Sequence, residues 1–202
     1  MPKPGMTTFA ISRISDIPSC FALFITEEIL ELVLETTNLE RHHKPGCRGW
    51  KEVDMPELKA FLGLLLLVGV YHSRREATQS LWEAQTGRPV FAATVSRERF
   101  EEISGRLRFN NRATRTHRCC KQGVFCPIVE RWSEQLPCMW VPEQTLTVDE
   151  QLVPFKGCCS FRVYMPKKPG RYGLKMWLLC DSVTSLQRSQ RGPKASRWCW
   201  AL

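Results

Sequence analysis

An α+β fold, in which a helical region precedes a three-stranded antiparallel sheet, is the class this sequence predicts, on three observations. Up to Met139, apolar residues recur at spacings of three and four, the period of helices that bury one face. Beyond Met139 the period drops to two. Leu146, Val148 and Leu152 are followed by Phe161, Val163 and Met165, then by Leu174, Met176, Leu178 and Cys180, as in strands whose alternate side chains share a face. Between those runs fall Pro154, Gly157, Pro166, Pro169 and Gly170, breakers that suit the connections of a meander. A chain of 202 residues holds one domain, or a small domain joined to part of another.

Taken in order, residues 1–20 carry Pro2, Pro4 and Pro18 without a period and read as irregular. The helical region spans residues 21–143. Its first helix starts at Thr26, whose hydroxyl suits a cap, with Glu27 and Glu28 in the first turn and Ile29, Leu32, Val33 and Thr36 on one face. RHHKPGCRG, from Arg41 to Gly49, is a loop. Pro56-Glu57 opens a second helix that is apolar almost all round, which places it at the centre of a bundle. Ser96 caps a third, with Phe100, Ile103 and Leu107 on one side. After the basic loop from Asn110 to Lys121, a fourth carries Phe125, Ile128, Val129, Trp132, Leu136 and Met139, with Pro137 set to end or kink it. The strands occupy 144–185, and the tail 186–202 has no period and reads as a loose end.

Charge is divided unevenly. Up to Ser104 there are 12 Lys and Arg against 14 Asp and Glu; from Gly105 onward there are 17 against 6. The basic excess of the second half suits a polyanion such as DNA, or simply a solvated face. Ten cysteines fall below the density of a small disulfide scaffold, and the N-terminus has no apolar run after a basic start. Together these predict reduced thiols and a protein that is not secreted. The longest apolar run, Ala60 to Tyr71, is shorter than the roughly 20 residues of a membrane span.

Several residues are candidates for chemistry. In Thr147-Val148-Asp149-Glu150-Gln151, alternation turns Val148 to the core and Asp149 to the other side. A strand carboxylate is a rigid mount for a divalent metal, yet two ions ~4 Å apart need several such oxygens. On its own, Asp149 also reads as an ordinary surface acid. Lys156, Arg162, Lys167, Lys168, Arg171 and Lys175 lie on and between the strands, interleaved with Phe155, Phe161, Tyr164 and Tyr172, which read first as sheet core. A second basic cluster comprises Arg106, Arg108, Arg112, Arg115, Arg118 and Lys121. Cys119, Cys120, Cys126, Cys158 and Cys159 lack paired C-x-x-C spacing, and His42, His43 and Cys47 read as loop residues rather than a zinc site.

FITEEILELVLETTN, ELKAFLGLLLLVGVY, SRERFEEISGRLRFNN and PIVERW occur in that order, followed by TVDEQLVPFKGCCSFRVYMPKKPGRYGLKMWLLCDSVTS. Together they cover about residues 21 to 185 and resemble piggyBac-type transposases. The resemblance implies an RNase H-like core, begun here as an incomplete sheet. It aligns Asp149 with the first of three catalytic aspartates that hold divalent metal such as Mg²⁺, and gives Asp181 no metal-binding role. The other two aspartates of that family lie further on than Asp181, and LQRSQRGPKASRWCWAL departs from its pattern. The resulting expectation is a truncated or alternatively spliced, catalytically inactive, transposon-derived protein with a vestigial Asp149 and no working cofactor. Weak, non-specific DNA binding, homo- or hetero-dimerisation, and a nuclear or otherwise cytoplasmic location go with it. The alternative is a protein-interaction module without a nucleic-acid role, such as a modulator of a full-length relative.

Overall fold

The computed structural model describes residues 3–39, 50–73, 76–85, 87–111, 126–155, 162–181 and 199–201. Two compact units emerge, Thr26–Arg115 and the combination of Met1–Ile25 with Thr116–Leu202.

The chain opens with a short strand β1 (Gly5–Met6) and two helices, α1 (Thr8–Arg13) and α2 (Ile17–Phe24), in a stretch whose prolines suggest irregular structure. Pro18 sits in the first turn of α2, where its missing amide costs nothing. The Asp16 carboxylate accepts the Ser19 amide at 2.7 Å, and the Ser19 hydroxyl accepts the Asp16 amide at 2.9 Å. This reciprocal cap holds the Asp16 carboxyl below its ordinary range.

The unit Thr26–Arg115 is helical. Its first helix, α3 (Glu27–Leu39), buries Ile29, Leu30, Val33, Thr36 and Thr37. The next, α4 (Met55–Val70), is capped by Asp54, whose Oδ1 accepts the Glu57 amide at 2.8 Å. Three shorter helices follow: α5 (Thr78–Trp82), α6 (Pro89–Thr94) and α7 (Arg97–Arg106). Ser96 caps α7 by accepting the Arg99 amide at 3.3 Å, and Phe100 and Ile103 are buried as their spacing required.

Aromatic rings knit these helices together. Phe61 of α4 meets Phe100 at 4.9 Å, Phe100 meets Trp82 at 4.9 Å, and Trp82 meets Phe91 edge-on at 5.1 Å. The backbone of Arg108 is pinned to α3: the Thr36 hydroxyl donates to its carbonyl at 2.9 Å, and its amide donates to the Thr37 hydroxyl at 3.1 Å.

The placement of α4 corrects one expectation. It is not enclosed all round: Leu58, Phe61 and Leu64 are buried, but Leu65, Leu66 and Val70 are 40, 56 and 67% exposed. Helix α3 and the Phe100 ring of α7 pack against α4, while Leu65, Leu66 and Val70 stay exposed.

In the other unit, α8 (Cys126–Met139) runs through Pro137 and stops two residues later. Met139 joins Ala10 and Leu23 in a small core flanked by Ile14 and Phe24, and the Trp132 indole donates to the Phe24 carbonyl at 2.6 Å. Strand β2 (Trp140–Val141) follows at once and pairs antiparallel with β1.

The main sheet contains β3 (Leu146–Pro154), β4 (Val163–Tyr164), β5 (Tyr172–Asp181) and β6 (Cys199–Ala201). It is antiparallel, as expected, with four strands among the described residues where alternation predicts three. Nor is it a simple meander: β5 lies between β3 on one side and β4 and β6 on the other. Nine consecutive pairs join β3 to β5, from Leu146↔Asp181 to Pro154↔Gly173. A Cβ at Gly173 would run into the Val153 carbonyl oxygen, so glycine is what permits the close approach at that end. The fourth strand comes from the segment expected to be a loose end.

Register also decides which residues share a face. Opposed residues of an antiparallel pair project to the same side, and Asp149 is opposite Leu178 while Gln151 is opposite Met176. The apolar stripe of β5 therefore shares a side with Asp149, and Leu146, Val148 and Leu152 project to the other. Val148 does not face a core; it is 56% exposed, with Leu146 at 39%. Leu178, on the Asp149 side, is buried.

Candidate nucleic-acid interface

Of the basic residues predicted to contact a polyanion, Arg162, Lys167, Lys168, Arg171 and Lys175 lie on the β4–β5 hairpin. Tyr164 lies opposite Tyr172, and Val163 opposite Gly173. The loop between them is closed by hydrogen bonds from the Met165 amide to the Arg171 carbonyl at 2.6 Å, from the Lys168 amide to the Met165 carbonyl at 3.1 Å and from the Arg171 amide to the Lys168 carbonyl at 3.0 Å. Arg171 takes a φ of 42°, a left-handed conformation that non-glycine residues adopt mainly in such tight turns. Gly170 packs against Pro154, where a Cβ would come within 3.1 Å of its Cγ. The turn is thus anchored to the end of β3.

The cations on this hairpin have distinct roles. Lys175 forms an ion pair with the Glu150 carboxylate at 2.6 Å, and the Lys168 ammonium reaches the Glu150 carbonyl at 3.4 Å. Both are half-buried, so they brace β5 and the turn against β3. Lys167 and Arg171 are exposed in the turn, and the exposed Arg162 lays its guanidinium 5.2 Å from the Tyr172 ring centroid. Lys156, Arg112 and Arg115 lie outside the described residues, as do Arg118 and Lys121. Of the second basic cluster, Arg106 stacks on Trp50 at 4.6 Å and Arg108 donates to the Leu107 carbonyl at 2.8 Å, both within the helical unit.

Three aromatics expected in the sheet core, Phe155, Tyr164 and Tyr172, are at the surface, and Phe161 lies outside the described residues. Tyr164 and Tyr172 are 53 and 49% exposed, with ring centroids 4.7 Å apart. Alternation assigns each residue to a side of its strand, but it cannot show that β4 is only two residues long and leaves Tyr164 at the sheet's end.

Asp149 is exposed on β3, and its Oδ1 accepts the following Glu150 amide at 2.7 Å. Glu150 alternates to the opposite side of the strand, where it pairs with Lys175. Asp181 is buried, accepts the Glu143 amide at 2.9 Å, and sits opposite Leu146, on the side away from Asp149. The sheet's acids are therefore segregated. Among the described residues, no three His, Cys, Asp or Glu side chains come together as a metal site. Nor is any helix among the described residues long and apolar enough to cross a membrane.

Comparison with known proteins places the chain. The family model described as Transposase IS4 matches residues 18–187. Human PiggyBac transposable element-derived protein 3 is 30% identical over 159 residues, covering 77% of this chain and 26% of that protein. Human PiggyBac transposable element-derived protein 5 is 27% identical over 168 residues, covering 76% and 30%. A cryo-EM structure of a piggyBac transposase synaptic complex with hairpin DNA superposes with a TM-score of 0.81 at 29% identity, covering 96% of this chain and 43% of that one. The chain spans less than half the length of each of these relatives. The match over residues 18–187 shows that it belongs to the Transposase IS4 family, in its piggyBac-type branch.

Proposed function

We propose that this chain binds DNA through the β4–β5 hairpin and performs no strand transfer of its own. Its sheet is, on this reading, the opening part of an RNase H-like core. The observation that carries the proposal is the exposure of Arg162, Lys167 and Arg171 on one braced hairpin, while Lys168 and Lys175 are held by Glu150. Glu150 thus occupies the inner cations, and Lys167 and Arg171 stay exposed in the turn. Contacts of Lys and Arg with phosphates displace condensed counterions, so affinity depends on salt more than on sequence. The structural relative's synaptic complex with DNA supports DNA as the polyanion, and a nuclear location follows from that choice.

The lack of strand transfer rests on the segregated acids. On its face of the β3–β5 pair, Asp149 is flanked by Thr147, Gln151, Met176, Leu178 and Cys180, none of them a carboxylate, and two-ion phosphodiester chemistry needs several oxygens around one point. The test is an assay of the purified chain on supercoiled and linear duplex DNA with Mg²⁺ and with Mn²⁺. Binding should weaken by at least about tenfold between 50 and 200 mM salt, and no nicks should accumulate. Nicking that disappears in Asp149→Ala would overturn the non-catalytic reading, and salt-independent binding would overturn the phosphate mechanism.

A second reading has its own observation. Leu65, Leu66 and Val70 form an exposed apolar stripe on α4, of the kind that docks a protein partner or a second copy. Gel filtration with and without DNA separates the two: oligomers indifferent to DNA favour the interaction module.

A further inference from the structure

We infer that Tyr164 and Tyr172 form a stacking platform for the bases of an unpaired DNA strand; this rests on the DNA-binding reading and specifies the form of DNA. The two rings are a directly opposed cross-strand pair with centroids 4.7 Å apart, tilted by 39°. Large aromatics usually bury most of their surface, yet half of each is open to solvent. The backbone extends the row: the Phe155 amide donates to the Tyr172 carbonyl at 3.3 Å, placing Phe155, 37% exposed, beside Tyr172.

Charge complementarity identifies the occupant. The Arg162 guanidinium lies over the Tyr172 ring at 5.2 Å, and the exposed Lys167 and Arg171 stand in the adjoining turn. Half-exposed rings framed by cations match a ligand that alternates flat rings with phosphates. In a duplex the base faces are already stacked on one another, whereas a single strand offers them freely. Asp149 pairs with Leu178, six residues along β5 from Tyr172, or about 20 Å, far enough that its charge does not oppose binding.

The test uses the full chain and fluorescence anisotropy with a labelled single strand of about 12 nucleotides and with its blunt duplex at the same salt. The single strand should bind more tightly. Tyr164→Leu/Tyr172→Leu should lose about fivefold or more on the single strand and less than about twofold on the duplex, while Tyr164→Phe/Tyr172→Phe keeps the preference. A 2-aminopurine base within the strand should be quenched when the unmodified chain binds, a readout that does not require the leucine variant to fold. Unquenched 2-aminopurine, or equal losses on both DNAs in a folded leucine variant, would overturn the platform. Duplex binding without a single-strand preference overturns the platform alone; failure to bind either DNA overturns the DNA-binding reading as well.

Discussion

The helical unit and the main sheet use their apolar residues in opposite ways. In the helical unit, Leu58, Phe61, Leu64, Phe91 and Ile103 are almost fully enclosed, and four aromatic rings interlock around them. In the sheet, Leu146, Val148 and Val153 are 39, 56 and 39% exposed, while Leu178 is buried. The sheet has apolar side chains on both of its faces, the pattern of strands with a layer on each side. Helices α3, α4 and α7 supply layers for one another. The polar bracing of β3 to β5, Lys175 with Glu150, holds the strands together without requiring that either face be dry.

This contrast can be broken or sharpened by substitution. The largest expected effect is in the helical core: Phe61→Ala should cost about 4 kcal/mol, read as a lower midpoint in urea denaturation followed by circular dichroism. Next comes Arg99. Its guanidinium is bidentate to Glu57 at 2.7 and 2.8 Å, bonds Glu102 at 2.9 Å and the Lys51 carbonyl at 2.8 Å, and lies over Trp50 at 4.7 Å. With its side chain only 14% exposed, hydrogen bonding to Glu57 above all raises its pKa and keeps it charged. Arg99→Met should cost about 3 kcal/mol by leaving Glu57 unpaired, and adding Glu57→Met should restore much of that loss. The smallest effect should be Val148→Thr on the exposed face of β3, within about 0.5 kcal/mol. A cost above about 2 kcal/mol would mean that this face is packed and the contrast is false.

How much of this was legible in the sequence follows the same divide. Helices α3, α7 and α8 were readable from periodic apolar residues, with a matching cap at Ser96 ahead of Phe100 and Ile103, and α4 from its opening proline and long apolar run. Helix α2 was not, because a proline read in isolation is a breaker, whereas Pro18 stands just after the capping Asp16. The strands were visible from alternation, but their order and facing were not. Alternation fixes the sides of one strand only; the register that sets Asp149 opposite Leu178 is a property of two strands. The same gap hid the candidate interface. The basic residues could be named, but the division between inner cations held by Glu150 and outer ones in the turn depends on pairing that spans 18 to 25 residues.

The most direct test of that division is the salt dependence of duplex binding in Lys167→Gln/Arg171→Gln, compared with the unmodified chain. If these two exposed cations neutralise phosphates, the slope of log affinity against log salt should become shallower by about 1.8, roughly 0.9 for each phosphate left to its counterions. An unchanged slope in a variant with the parent's denaturation midpoint would contradict the assignment of DNA to this hairpin.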